Sequence, residues 1–207
     1  MKVVCLSDTH ELHRNVAVPD GDLLIHAGDI TFFSQRPSVL VDFNDWLAEL
    51  PHKHKVVIPG NHDTLLEEEE NRRMITNAHV LINSGVTLGV FKIWGSPTMP
   101  LASGAFATPH ATDRAEIWSR IPSDTDFLVT HIPPAGILDR ARGTSHGAGC
   151  QALRESYRRI HPRLHVFGHV HSAAGIHHTA RTLFVNASLA GEFGNLDREP
   201  VVLRPRP

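Results

Sequence analysis

Five short apolar runs, each stopped by a cluster of Gly, Asp, Asn and His, constrain this chain more than any other feature. Val3–Leu6 runs into SDTH, with Asp8 and His10. LLIHA runs into Gly28 and Asp29. KVVI runs into PGNHD, with Asn61, His62 and Asp63. Phe127–Thr130 runs into His131-Ile-Pro-Pro, and Leu164–Phe167 into GHVH, with His169 and His171. Apolar runs of this length bounded by turn residues read as buried strands. In α/β sheets the carboxyl ends of strands are where ligands bind. Five strand ends therefore bring two Asp, one Asn and several His to one edge, which is more specific than any single motif.

The intervening segments set the fold class. The strands are expected over Val3–Leu6, Asp22–Ala27, His54–Ile58, Phe127–Thr130, Leu164–Phe167, Gly175–His177, Thr182–Val185 and Val201–Leu203. Val80–Ile82 and Val86–Trp94 are expected to form a hairpin turned at Asn83-Ser84-Gly85. Pro37–Leu50 reads as a helix with Val39, Leu40, Phe43, Trp46, Leu47 and Leu50 on one face. Thr64–Ile75 reads as a helix whose acidic half, Glu67–Glu70, precedes Arg72 and Arg73 in the order the helix dipole favours. Asp113–Arg120, with Glu116 placed for a capping box, and Cys150–Ile160 complete the helices. Ser96–His110 and Pro133–Gly149 read as long loops. Helices alternate with strands early and strands dominate late, which predicts an α/β fold of two packed sheets with outer helices.

The chain has 207 residues, enough for one substantial core, and residues 1–207 are read as a single domain. A net charge of −2 argues against a basic nucleic-acid-binding surface, so no stable nucleic-acid partner is expected, while a small anionic substrate remains open. Histidine is in excess at 16 residues, which suits metal binding or acid–base chemistry. Cys5 and Cys150 are too few for a disulfide scaffold. The run before Asp8 is too short for a signal peptide and no later run is long enough to span a membrane, so a cytoplasmic setting is expected.

Carboxylate, amide and imidazole donors without thiolate suit Mn, Fe, Zn, Co or Ni. The donors are too many for one ion and about enough for two. Asp29, whose carboxylate can serve both, is read as the bridge.

The motifs DTH, GD, GNHD, TH and GHVH, in that order, resemble the calcineurin-like metallophosphoesterase superfamily over nearly the whole chain. The stretches LIHAGD, NDWLAELP, WGSP, PRLHVFGHVH and FVNAS are similar to one branch, that of the brain metallophosphoesterase-domain proteins and their bacterial relatives. The resemblance implies a four-layer α/β/β/α sandwich of two mixed sheets flanked by helices, around a dinuclear centre. It implies that Asp8, His10, Asp29 and His171 hold one divalent transition metal, manganese first among candidates. It implies that Asp29, Asn61, His131 and His169 hold the other, and that His62 is the catalytic histidine. Many relatives carry Glu after the histidine of GNH where this chain has Asp63, so Asp63 is given no catalytic role. Some brain-type relatives lack the first histidine of GHxH; His169 is present here.

Two dications less two carboxylates leave about +2, which suits an anionic phosphoester. Two such ions clamp phosphoryl oxygens and acidify a water between them, and the resulting hydroxide is expected to attack phosphorus in line. His62 stabilises the phosphoryl charge or protonates the leaving oxygen. Small phosphodiesters, 2′,3′-cyclic nucleotides foremost, are the expected substrates. The alternatives are a phosphomonoesterase and a non-catalytic scaffold on the same fold. Among the other histidines, His26 is read as a hydrogen-bonded core residue. His52, His54, His79, His161, His165, His177 and His178 are read as surface or edge residues, and His13, His110 and His146 as loop residues able to line the cleft. Asn186 is read as a turn former.

Overall fold

The computed structural model describes residues 1–191 and 194–205. In chain order its elements are β1 (Val3–Leu6), β2 (Leu23–His26), α1 (Ser38–Glu49), β3 (His54–Val57), α2 (Glu69–Arg72), β4 (His79–Val80), β5 (Ser84–Leu88), β6 (Phe91–Ser96), α3 (Ala111–Ser119), β7 (Phe127–Thr130), α4 (Gln151–Ser156), β8 (Leu164–Phe167), β9 (Gly175–His178), β10 (Leu183–Asn186) and β11 (Val201–Leu203). One sheet has the order β11-β1-β2-β3-β4 and the other β5-β6-β7-β8-β10-β9. Both are mixed. β1, β2, β3 and β4 run parallel with β11 antiparallel at one edge. In the other sheet β6, β7, β8 and β10 run parallel between antiparallel β5 and β9.

Side-chain alternation builds the layers. Val3, Cys5, Leu23, Ile25 and Val56 face Ile93, Phe127, Val129, Leu164, Val166 and Val185 between the sheets. The opposite face of the first sheet, through Val4, Leu6, Leu24 and Val57, packs on Leu40, Phe43, Trp46 and Leu47 of α1. The opposite face of the second meets Trp118 of α3 and Leu153 of α4 through Leu128. The result is an α/β/β/α sandwich.

Three local expectations are corrected. The helix expected over Thr64–Ile75 is a single 3-10 turn, Thr64–Glu67, then the four-residue α2, broken at extended Glu68. The Arg72 guanidinium donates to the carbonyls of Leu66 and Glu67, occupying acceptors that a continuous helix would use. The hairpin turns at Gly89-Val90, pairing Leu88 with Phe91, because Gly89 adopts φ +62. Asn83 instead lies on the link between β4 and β5, which belong to different sheets. At the start of α3 no side chain caps the helix, and Glu116 pairs with Arg120 one turn on.

Three histidines are also placed differently. His165 is fully buried, its ring between the Thr130 hydroxyl at 2.8 Å and the Tyr157 hydroxyl at 2.5 Å. β8 is covered on both faces, so a polar residue within it points to a helix layer rather than to water. His52 is buried beneath Gly21. His13 is buried against Phe43 and Trp46 and bonded to Asp42 rather than lining the cleft. His26 is a bonded core residue, 3.0 Å from the Thr9 hydroxyl.

Candidate metal centre

The loops following β1, β2, β3, β7 and β8 converge at one edge of the sandwich. β1 delivers Asp8 and His10, β2 Asp29, β3 Asn61 and His62, β7 His131, and the turn after β8 His169 and His171. Sharp backbone turns bring them in. Asp8, His10, Asp29 and His169 all have positive φ, between 45° and 66°. Two glycines let the loops pass closely. A Cβ at Gly60 would lie 2.2 Å from Asp29 Oδ1, and one at Gly28 2.5 Å from His131 Nδ1. At Gly168 a Cβ would sit 2.3 Å from Asp8 Oδ2, so the two sheets touch there.

All eight sequence-derived site residues lie in this cluster. Asp29 Oδ2 is 3.2 Å from His131 Nε2, 3.8 Å from His62 Nε2 and 4.0 Å from His10 Nε2. Asn61 Oδ1 is 3.2 Å from His131 Nε2 and 2.9 Å from His169 Nδ1. Asp8 Oδ1 is 3.4 Å from His171 Nε2, which is 3.4 Å from His10 Nε2. Residues two apart, as His169 and His171 are, would point to one side of an extended segment, and GHVH departs from that expectation. The strand stops at Phe167 and His169 is left-handed, so the two imidazoles are aimed by a turn, not by the alternation of an extended segment. His169 meets Asn61, His171 meets Asp8, and Val170 between them is buried.

Asp8 and Asp29 are almost wholly buried. Burial alone pushes both carboxyls up, yet the imidazoles of His171 and His131 outweigh it and hold them below the usual range. Burial likewise opposes charge on His131, but Asp29 and Asp8 override it and raise its pKa to about 9. His169, with burial dominant, falls to about 4.

The donor chemistry fits a cation. The ring nitrogen of His131 that faces the Ala27 carbonyl at 2.8 Å carries a proton, and so does the His10 nitrogen facing the Thr31 carbonyl at 3.3 Å. Metal-ligating histidines are commonly held this way. A bound cation would take the place of the proton that Asp29 and Asp8 stabilise on His131, and the opposite nitrogens of both rings would then point lone pairs into the same buried space as the Asp29 and Asn61 oxygens. Three overlapping groups have ligand atoms all within 4.8 Å of one another: Asp8, His10 and His171; Asp8, Asp29 and His131; and His10, Asp29 and His62. Distance therefore admits His62 beside Asp8, His10, Asp29, His131 and His171.

Two supporting residues were not singled out by sequence. Asp63 accepts from the amides of Ile30, Thr31 and Gly60 and from the Thr31 hydroxyl, tying the β2 and β3 loops together. Burial and neighbouring Asp29 raise its pKa to about 7. Asn186, read as a turn former, donates to the Val170 and Leu138 carbonyls and so braces the GHVH turn. Bonds of this kind leave no signal in a single sequence beyond a polar residue in a buried run.

This fold and this donor set define an α/β/β/α sandwich with a candidate metal centre at the carboxyl ends of its strands. The chain belongs to the calcineurin-like phosphoesterase family, whose model matches residues 1–173. It is 38% identical over 98% of its length to the UPF0046 protein K07C11.7 of Caenorhabditis elegans, spanning 74% of that protein. It is also 38% identical to human metallophosphoesterase domain-containing protein 1, over 91% of this chain and 66% of the human one. Among solved structures, TT1561 of Thermus thermophilus shares the fold at TM-score 0.61 and 13% identity, over 89% of this chain and 88% of that one. Among the described residues no helix is long and apolar enough to cross a membrane.

Proposed function

We propose that the chain is a dinuclear metal-dependent phosphodiesterase acting on small diesters such as 2′,3′-cyclic nucleotides. The observation that carries the reading is the buried cluster of carboxylate, amide and imidazole groups from five strand ends, with ligand atoms of Asp8, His10, Asp29, His62, His131 and His171 in overlapping groups of three within 4.8 Å. Asp8, His10, Asp29 and His171 are assigned to one ion. Asp29, Asn61, His131 and His169 are assigned to the other, with manganese first among candidates and Fe, Zn, Co and Ni as alternatives. Two divalent ions supply polarisation of the phosphoryl oxygens and a more acidic water. The protein's part is placement. Ala27 and Thr31 carbonyls fix the rings of His131 and His10. Asp29 Oδ1 accepts the His62 amide at 2.9 Å and so sets the loop from which the His62 ring reaches the site. His62 Nε2 holds the proton that passes to the leaving oxygen.

A cavity of about 930 Å³, bordered by His10, His62 and His171, is large enough for a nucleotide-sized diester. A cytoplasmic setting accords with the two buried, unbridged cysteines. The test is turnover of Mn²⁺-loaded protein against 2′,3′- and 3′,5′-cyclic nucleotides and matched monoesters, alongside metal analysis. Two bound ions with preferential diester hydrolysis is the expected result. Faster monoester hydrolysis would replace the reading by a phosphomonoesterase, and two bound ions without turnover by a scaffold.

A further inference from the structure

The segment that leaves Asp29 forms one wall of the cavity, contributing Phe32, Ser34, Gln35 and Arg36. Phe32 stands out: 61% of it is exposed, the most of any phenylalanine among the described residues. Yet the ring is held in place. It stacks on His62 at 5.0 Å and 26°, and sets an edge against His10 at 5.4 Å and 87°. Its own amide donates to Glu11 Oε1 at 3.2 Å. Behind it Phe33 packs 4.0 Å from the same imidazole and donates its amide to the His62 carbonyl. A fixed aromatic ring facing a cavity loses the hydrophobic return of burial. A planar ring laid on it restores that return. Gln35 and Arg36 continue the wall: the Gln35 amide nitrogen donates to the Phe33 carbonyl and the Thr64 hydroxyl, which leaves its oxygen as an acceptor for a ligand, and the exposed Arg36 guanidinium, 3.8 Å from Glu11 Oε2, keeps further N–H donors.

We propose that Phe32 stacks the base of a nucleoside phosphoester whose phosphoryl group lies at the metal centre, with Gln35 and Arg36 facing the polar edge of the base. Phe33 is a positioning residue behind His62. The assignment rests on the phosphoesterase reading for where the phosphoryl group sits. It is tested by calorimetric titration of Mn²⁺-loaded full-length protein with AMP, phenyl phosphate and methyl phosphate. Native protein should bind AMP most tightly. Phe32→Ala should weaken AMP about 5- to 150-fold and leave methyl phosphate unchanged, with Phe32→Tyr close to native. Because 61% of the residue is exposed and only its contacts with His62, His10 and Phe33 are lost, Phe32→Ala should lower the melting temperature by no more than about 2–4 °C. AMP binding unchanged in Phe32→Ala would overturn the stacking assignment, and phenyl phosphate bound as tightly as AMP would overturn the base. Hydrolysis of bis(p-nitrophenyl) phosphate separates the two readings. Native turnover with AMP affinity untouched by Phe32→Ala overturns the Phe32 assignment alone. No turnover, with AMP affinity lost in Phe32→Ala, overturns the phosphoesterase reading alone.

Discussion

The two halves of the cluster differ in how they are closed. Asp29, Asn61 and His131 are buried at the seam of the sheets with partly buried His169 beside Asn61, each within hydrogen-bond distance of another member or of backbone. In the other half His10 and His171 face the cavity, the side chain of His171 being 30% exposed, while Asp8 is fully buried. The deep half is ordered by folding itself, so its geometry costs little at the moment of binding. Ligands and water would reach the site through the cavity on the side of His10 and His171. Asp29 belongs to both, and that shared carboxylate is the point at which the distinction can be broken.

The largest effect is expected from Asp29→Ala. It should reduce bound metal well below two ions per chain and abolish turnover; two ions at native affinity in metal analysis would remove the bridge. Next, His169→Ala and His171→Ala should each leave about one ion, from opposite halves. The ion retained by His171→Ala should resist a chelator longer than the one retained by His169→Ala, and equal release times would erase the contrast between deep and outer halves. His62→Ala should keep both ions and lose roughly 10²–10⁴-fold in kcat, most with alkoxide leaving groups and least with nitrophenolate. Loss of metal in that variant would make His62 a ligand. Val170→Ala, between the two histidines, should cost about 1–3 kcal/mol in urea unfolding with metal content unchanged.

The last effect concerns pH. Burial lowers His165 to about 3. The unfolded chain therefore binds a proton near its ordinary pKa of about 6.5 that the folded chain refuses. Stability contributed by neutral His165 is complete above that value and is lost as pH falls from about 6.5 toward 3. The urea midpoint should drop over this range, and His165→Gln should show a shallower drop.

Much of this was legible because strand ends carry their chemistry in sequence. Val3–Leu6, Phe127–Thr130, Leu164–Phe167 and Val201–Leu203 were read with their observed bounds, since an apolar run stopped by Gly or Asp leaves little choice. The eight site residues followed from what came after each run. What escaped depends on distant partners. The break at Glu68 comes from Arg72 reaching back to carbonyls, and the burial of His165 from a helix laid over its strand. Phe32 and Phe33 gave no signal in sequence because their meaning comes from His62, some thirty positions later.

Among the described residues nine non-glycine positions have positive φ, and six of them, Asp8, His10, Glu11, Asp29, Phe33 and His169, surround the cluster. Each such backbone costs on the order of 1–3 kcal/mol and persists only where its surroundings enforce it. The centre is therefore not portable. Grafting the letters DTH, GD, GNHD and GHVH onto another set of loops would transfer the side chains while the new loops relaxed to their own preferred shapes. What descends through the chain as a unit is the bent backbone, with the two sheets as its mould.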